Sequence, residues 1–322
     1  MKIVITGGAG FLGQRLARRL LDYYGDAVAL VLADRVATSS FAGDSRVEAV
    51  ECDIADAQKL ARIVTAETAA IFHLAAIVSG QAEAEFDLGM TINLDATRNL
   101  LEAARKLGTA PKFVFASSVA VFGGELPEVV TDETPARPQS SYGAEKAMGE
   151  LLVNEFSRRG FVDGRVVRLP TICVRPGKPN RAASSFVSGI VREPLNAEAA
   201  VCPVGREVAL WISSPAVAIE NLLHAHLVPA RDFGTHRTVN VPGITVTVGG
   251  MIGTLARIAG KEVAAHIRFE RDETVERIVA SWPGRFETPR AKALGFRRDE
   301  DFASVIRAHQ REMNERPAGR HG

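Results

Sequence analysis

The sequence predicts an α/β chain: a doubly wound parallel sheet with a smaller, discontinuous C-terminal domain. Three observations carry this. Apolar strand-like runs alternate with helix-periodic segments up to Leu169, the pattern of parallel strands joined by right-handed crossovers. A glycine-dense turn, Thr6-Gly7-Gly8-Ala9-Gly10-Phe11-Leu12-Gly13, joins the first strand to the first helix. Small, acidic or hydroxyl residues recur at the carboxyl ends of the predicted strands, outside which such sheets bind their ligands.

The first strand is Lys2-Ile3-Val4-Ile5, and the turn after it is spaced Gly7-x-x-Gly10-x-x-Gly13. Glycine permits the tight turn and lets backbone N–H groups approach an anion at the positive end of a helix. Between a strand and a helix, Gly7, Gly10, Phe11, Leu12 and Gly13 point to a dinucleotide site, with a merely structural turn as the alternative. Phe11, Leu12, Leu16 and Leu20 give helix one a single apolar face. The second strand, Ala27 to Leu32, leads to Asp34, 21 residues beyond Gly13. An acid there accepts from the adenosine ribose and repels a 2′-phosphate, so NAD is expected over NADP. Arg35 argues the other way, and Asp34 as a plain turn residue is the bland alternative.

Val47 to Cys52 reads as a third strand ending at Asp53-Ile54, and Ala69 to Ala76 as a fourth. The small tip Leu74-Ala75-Ala76 allows a flat ligand close to the backbone, whereas His73 reads as a packed strand residue. A helix is expected from Asn93 to Lys106, then a fifth strand, Lys112 to Ser118. Residues 123 to 141 are rich in proline and read as a loop. The next helix begins near Ser141 and places Tyr142 and Lys146 on one face, at i and i+4. Val166 to Leu169 is a sixth strand, broken by Pro170. This order describes a Rossmann-type sheet.

From Pro176 the alternation is lost. Val217 to His226 is a periodic helix and Arg237 to Val241 a return strand, with two helical segments expected after residue 245 and a fraying tail from Arg316. The expected division is residues 1–172 and 210–243 for the NAD-binding domain, and 173–209 and 244–322 for the substrate-binding domain.

Composition excludes several classes. Of 322 residues, 46% are hydrophobic and 24% charged, with a net charge of +1, so neither nucleic acid nor an anionic membrane is an expected partner. No apolar run is long enough for a bilayer span. The chain enters a strand directly, and its three cysteines lack a C-x-x-C pair, so a reducing cytoplasm is expected. His224 and His226, at i and i+2, diverge on a helix, and no metal site is expected.

A phenol with an ordinary pKa near 10 is a poor base at neutral pH. A lysine ammonium one turn away stabilises the phenolate, and a serine at a strand tip holds the substrate oxygen in line. At these residues the chain resembles the extended short-chain dehydrogenase/reductase family of NAD-dependent epimerases and dehydratases. The matching segments are Thr6 to Gly13, Asp53-Ile54, His73 to Ala76, Asn93, Ser117 to Gly123, Tyr142-x-x-x-Lys146, Asn240-Val241 and Ala291 to Phe296. The resemblance implies Ser118, Tyr142 and Lys146 as the catalytic triad, with Ser117 a second hydroxyl candidate, Asp53-Ile54 as the adenine contact, and Asn93 and Thr171 beside the cofactor. It also implies a homodimer built on the helices that start near Asn93 and Tyr142. Phe122, where tyrosine is usual, and Trp211 to Pro215, where an acid is frequent, depart from the family and are expected near the substrate.

The stretch Arg168 to Phe186 resembles a branch that oxidises a four-carbon sugar acid at C2. Such a substrate needs a cation for its carboxylate, from Arg175, Lys178 or Arg181, with Arg175 nearest the strand end. Ser79, Ser118, Thr171, Ser184 and Ser185 are the candidate partners for its hydroxyls. The expected reaction is proton abstraction by Tyr142 with hydride transfer to NAD. A nucleotide-sugar 4-epimerase or dehydratase and a non-catalytic NAD-binding scaffold are the alternatives.

Overall fold

The computed structural model describes residues 1–315, so the tail expected to fray from Arg316 lies outside the described residues. The first half runs β1 (Lys2–Thr6), α1 (Phe11–Tyr24), β2 (Ala29–Asp34), β3 (Val47–Glu51), α2 (Ala57–Ile63) and β4 (Thr68–His73). It continues through α3 (Ser79–Ala84), α4 (Phe86–Gly89), a π-helical stretch (Met90–Asp95), α5 (Ala96–Lys106), β5 (Lys112–Ser118), α6 (Ser141–Arg158) and β6 (Asp163–Leu169). Then come β7 (Thr171–Ile172), α7 (Ser185–Leu195), β8 (Ala200–Cys202), β9 (Ala209–Ser213), α8 (Pro215–Leu227), α9 (Ala230–Phe233) and β10 (Thr238–Asn240). The last elements are β11 (Ile244–Thr247), α10 (Val248–Ala259), α11 (Lys261–Ala264), β12 (Ile267–Phe269), α12 (Glu273–Ala280), α13 (Pro289–Ala293) and α14 (Phe302–Glu315).

Seven strands form one sheet in the order β10-β6-β5-β4-β1-β2-β3, every neighbouring pair parallel. The strand order reverses between β1 and β4, which opens a crevice at their carboxyl ends. Side chains alternate across a strand, and β1 shows why both faces must be apolar. Ile3 and Ile5 pack with Leu16 and Leu20 of α1 and Leu222 of α8, while Val4 packs with Leu60 of α2, Leu100 of α5 and Val153 of α6. The return strand Arg237 to Val241 is realised as β10, beside β6.

A second apolar core lies apart from these two faces. It joins Phe186 and Ile190 of α7, Ile212 of β9, Met251 of α10, Ile278 of α12 and Val305 of α14. There β9 sits between β7 and β11, and β12 pairs with β8.

Three expectations change. The fourth strand stops at His73, because the Leu74 N–H makes the last pairing bond, to the Thr6 carbonyl, and Ala75-Ala76 leave the sheet. The helix expected to open at Asn93 starts at Phe86 and widens to a π turn over Met90–Asp95. That widening accompanies an Asn93 side chain bonded to both backbone groups of Ile77. Beyond residue 245 the described residues form five helices, two of them short enough to leave no periodicity.

Candidate active site

The carboxyl ends of β1, β2, β4, β5 and β6 open on a cavity of about 720 Å³. Gly7, Gly10, Phe11, Leu12, Gly13, Asp34, Asp53, Ile54, Leu74, Ala75 and Ala76 all line it. Gly7 has φ +71°, and a Cβ there would stand 2.8 Å from the Ala75 backbone nitrogen. A Cβ on Gly13 would strike the Gly7 carbonyl oxygen, so the turn lies flat against the start of α1. No side chain caps that helix and no acid occupies its first turn, which leaves its positive end for an anion. The Asp34 carboxylate accepts from the Ala9 and Arg35 N–H groups and remains at the cavity wall. The chain's own groups therefore fit the diphosphate and adenosine ribose of NAD.

At the other end of the cavity stand Ser118, Tyr142 and Lys146. Ser140 caps α6 by accepting from the Gly143 N–H, and this sets the first turn that carries Tyr142. The Ser118 hydroxyl accepts from the Ala120 N–H, and its hydrogen bond with the Tyr142 oxygen favours the phenolate. Burial pushes the Tyr142 hydroxyl up to about 12, while the Arg175 charge and the Ser118 hydrogen bond pull the other way. Lys146 is 2% exposed, and burial lowers it to about 8 against the opposing pull of Glu145 and Glu150. Its ammonium lies 4.7 Å from the centre of the Phe115 ring and 5.7 Å from that of Tyr142, and it hydrogen-bonds to no described residue. A buried cation so placed is ready for ligand oxygens.

Buried polar residues brace this corner. Ser117 donates to Glu150 Oε1 at 2.5 Å, and Arg168 grips the same carboxylate through Nε and Nη2. Ser117 also reaches the cavity wall, but this bond commits its hydroxyl and leaves Ser118 as the free one. His73 is packed as expected: it bridges Thr6 Oγ1 and Thr97 Oγ1, and burial drops it to about 3. The Thr97 hydroxyl donates to the Asn93 carbonyl, which assigns the His73 proton to Nε2.

On the facing wall lie Ser79, Thr171, Arg175, Lys178, Ser184 and Ser185. Arg175 is the cation whose charge reaches Tyr142, and it forms no ion pair among the described residues. Burial lowers its pKa, so the site holds a costly charge in want of an anion. Arg181 does not line the cavity; it pairs on the surface with Glu85 at 2.7 Å. Ser79 accepts from the Ala183 N–H and Ser185 from the Asn180 N–H, each keeping a hydroxyl proton to donate.

Two expectations about position fail. Asn93 sits behind the cavity wall, holding Ile77 and donating to Glu145 Oε2. Phe122 and Trp211 are in an apolar cluster with Phe286, away from the cavity lining, because both rings pack on Phe286 and the Arg168 guanidinium lies over Phe122. The structure adds wall residues that sequence reasoning missed: Gln81, Ser188, Arg192 and Trp282. Ser188 and Arg192 share a helical face by their i, i+4 spacing, a signal readable once α7 is placed. Trp282 carries no such signal.

The comparisons agree with this geometry. The model of the NAD dependent epimerase/dehydratase family matches residues 3–219, from β1 through the triad into α8. D-erythronate dehydrogenase of Cupriavidus necator is 54% identical over 317 residues, covering 96% of this chain and 98% of that one. D-erythronate dehydrogenase of Haemophilus influenzae is 52% identical over 307 residues, covering 95% and 98%. The crystal structure named as a nucleoside-diphosphate-sugar epimerase from Agrobacterium tumefaciens superposes with a TM-score of 0.92 at 42% identity, covering 98% of this chain and 95% of that one. A glycine cradle at the end of β1, an acid ending β2 and a tyrosine one turn from a lysine thus lie inside the matched span, and the chain belongs to the NAD-dependent epimerase/dehydratase family.

Proposed function

We propose that the protein oxidises D-erythronate, or a close four-carbon sugar acid, at C2 to the 2-dehydro acid. The observation that carries this is Arg175, a half-buried cation that lines the same cavity as Tyr142 and has no acid partner among the described residues. A carboxylate on Arg175 brings the adjacent C2 hydroxyl to Tyr142, which is the geometry a 2-hydroxy acid requires. The relatives named for D-erythronate support the four-carbon length.

The proposed roles follow from the groups present. NAD, the cofactor, supplies the hydride acceptor when bound. Gly7, Gly10, Phe11, Leu12 and Gly13 hold its diphosphate, Asp34 its ribose, Asp53-Ile54 its adenine, and Leu74-Ala75-Ala76 and Thr171 its flat faces. Lys146, lowered to about 8 by burial, is mostly protonated at neutral pH, and its charge near the Tyr142 ring favours the phenolate. Ser118 donates to the substrate oxygen and holds it against Tyr142. Tyr142 takes the C2 hydroxyl proton as the C–H bond breaks. Ser79 and Ser185 meet the remaining hydroxyls.

The same reading divides the chain into residues 1–172 and 210–243 for the cofactor and 173–209 and 244–322 for the substrate, with the exceptions that β9 packs in the second core and Ala291 and Phe296 in the first. It also places the protein in the cytoplasm as a homodimer paired through α5 and α6, where Leu151 is 71% exposed. No described helix is long and apolar enough to cross a membrane.

A second reading, conversion of a nucleoside-diphosphate sugar with retained NAD, draws on the name of the Agrobacterium structure. Four-carbon acids and nucleotide sugars offered with NAD separate the two. Accumulating NADH with D-erythronate supports the first. Nucleotide-sugar conversion with no NADH released overturns it.

A further inference from the structure

Strand β7 ends at Ile172, so no sheet ladder fixes the main chain that carries Arg175. Two side chains of α7 do so instead. The Arg175 N–H donates to Ser188 Oγ at 3.0 Å, and Arg192 Nη1 donates to the Arg175 carbonyl at 2.7 Å. Ser188 and Arg192 stand at i and i+4, one above the other on a single helical face. They are 1% and 7% exposed, so water does not compete for these bonds. Glu193 accepts from Arg192 Nη2 and holds the guanidinium fork in place. Both backbone groups of Arg175 are thereby satisfied by one helix of the second core, while the residue lines the same cavity as Tyr142.

We propose that Ser188 and Arg192 are positioning residues that set the preference for a carboxylate, by clamping the Arg175 main chain so that its guanidinium meets an acid group next to the reacting carbon. The proposal rests on the reading of Arg175 as the carboxylate partner. A displacement of about 1 Å at a charged contact is enough to lose it, because a charge-assisted pair depends on both distance and direction. A hydroxyl and a fork on successive turns leave the Arg175 backbone little freedom to shift. Truncating either one releases one side of the grip without removing the cation.

The test compares kcat/KM for erythronate with that for its neutral amide, erythronamide, using the full chain and NAD. The wild type should favour the acid. Ser188→Ala and Arg192→Lys should each cut that ratio about ten-fold by slowing the acid and sparing the amide. In an Arg175→Gln background, Ser188→Ala should change the ratio no further, since the clamp then holds nothing charged. NAD affinity within two-fold of wild type shows that each variant is folded; Ser188→Ala suffices alone if Arg192→Lys fails to fold. Equal losses on acid and amide, or a full further loss in the Arg175→Gln background, would overturn the clamp. A wild type with no preference for the acid refutes the Arg175 reading itself, and the clamp with it.

Discussion

Replacing Glu150 by glutamine removes one negative charge from the most heavily bonded carboxylate near the site. Its oxygens accept from Ser117 Oγ at 2.5 Å, Arg168 Nε at 2.9 Å and Arg168 Nη2 at 2.6 Å. The paired side chains are only 11% and 6% exposed, so Arg168 in the variant keeps a buried charge with no counter-ion. Breaking a buried pair from one side costs about 3–5 kcal/mol, and we take about 3 because the amide oxygen still accepts from the guanidinium. At roughly 2–4 °C per kcal/mol for a chain of a few hundred residues, Tm should fall by about 6–12 °C. The same charge helps to keep Lys146 protonated, with Glu145 the larger partner. The alkaline limb of kcat against pH should therefore move to lower pH in the variant. The other charges around α6, namely Glu83, Arg168 and Arg175, are left in place, and His73 stays neutral. Differential scanning fluorimetry and a pH–rate profile read the two effects separately. A Tm within 2 °C of wild type together with an unmoved limb would refute this account of Glu150.

Four further outcomes are expected. Tyr142→Phe should lower kcat by about three orders of magnitude while NAD still binds, because the general base is gone and the cofactor cradle is not. Wild-type activity should decline above pH 8, where Lys146, lowered to about 8 by burial, loses the proton that favours the phenolate. Asp34→Ala should weaken NAD about ten-fold and NADP far less, measured as a ratio of dissociation constants. Stability should fall as pH drops below 6.5, followed by urea melts. His73 and His226 are buried with pKa values near 3, so between 6.5 and 3 the unfolded chain binds protons that the folded one refuses.

Much of the cofactor half was legible in the sequence. A buried parallel strand must be apolar on both faces, and β1, β2, β5 and β6 carry that signal in contiguous residues. The glycine turn and the Tyr142/Lys146 spacing are local too, so they survive without a fold. Asn93 was misplaced because its partners, Ile77 and Glu145, are distant in sequence and its π turn has no periodic signature. Phe122 and Trp211 were expected near the substrate on family grounds, yet ring packing with Phe286 draws them elsewhere. The substrate wall was the least legible part. Ser79, Arg175, Arg192 and Trp282 come from four separate segments, and only the folding of α7 and α12 against the loop after β7 brings them to one cavity. Of the three cations proposed for the carboxylate, burial and the absence of an ion pair single out Arg175, whereas the Arg181–Glu85 pair removes Arg181.

D-erythronate carrying deuterium at C2 tests the central claim most directly, with the reduced cofactor analysed for label after turnover. One labelled NADH should form for each 2-dehydro acid, because Tyr142 takes the hydroxyl proton and the C2 hydrogen alone leaves the carbon. Deuterium retained in the acid product, or unlabelled NADH, would contradict it.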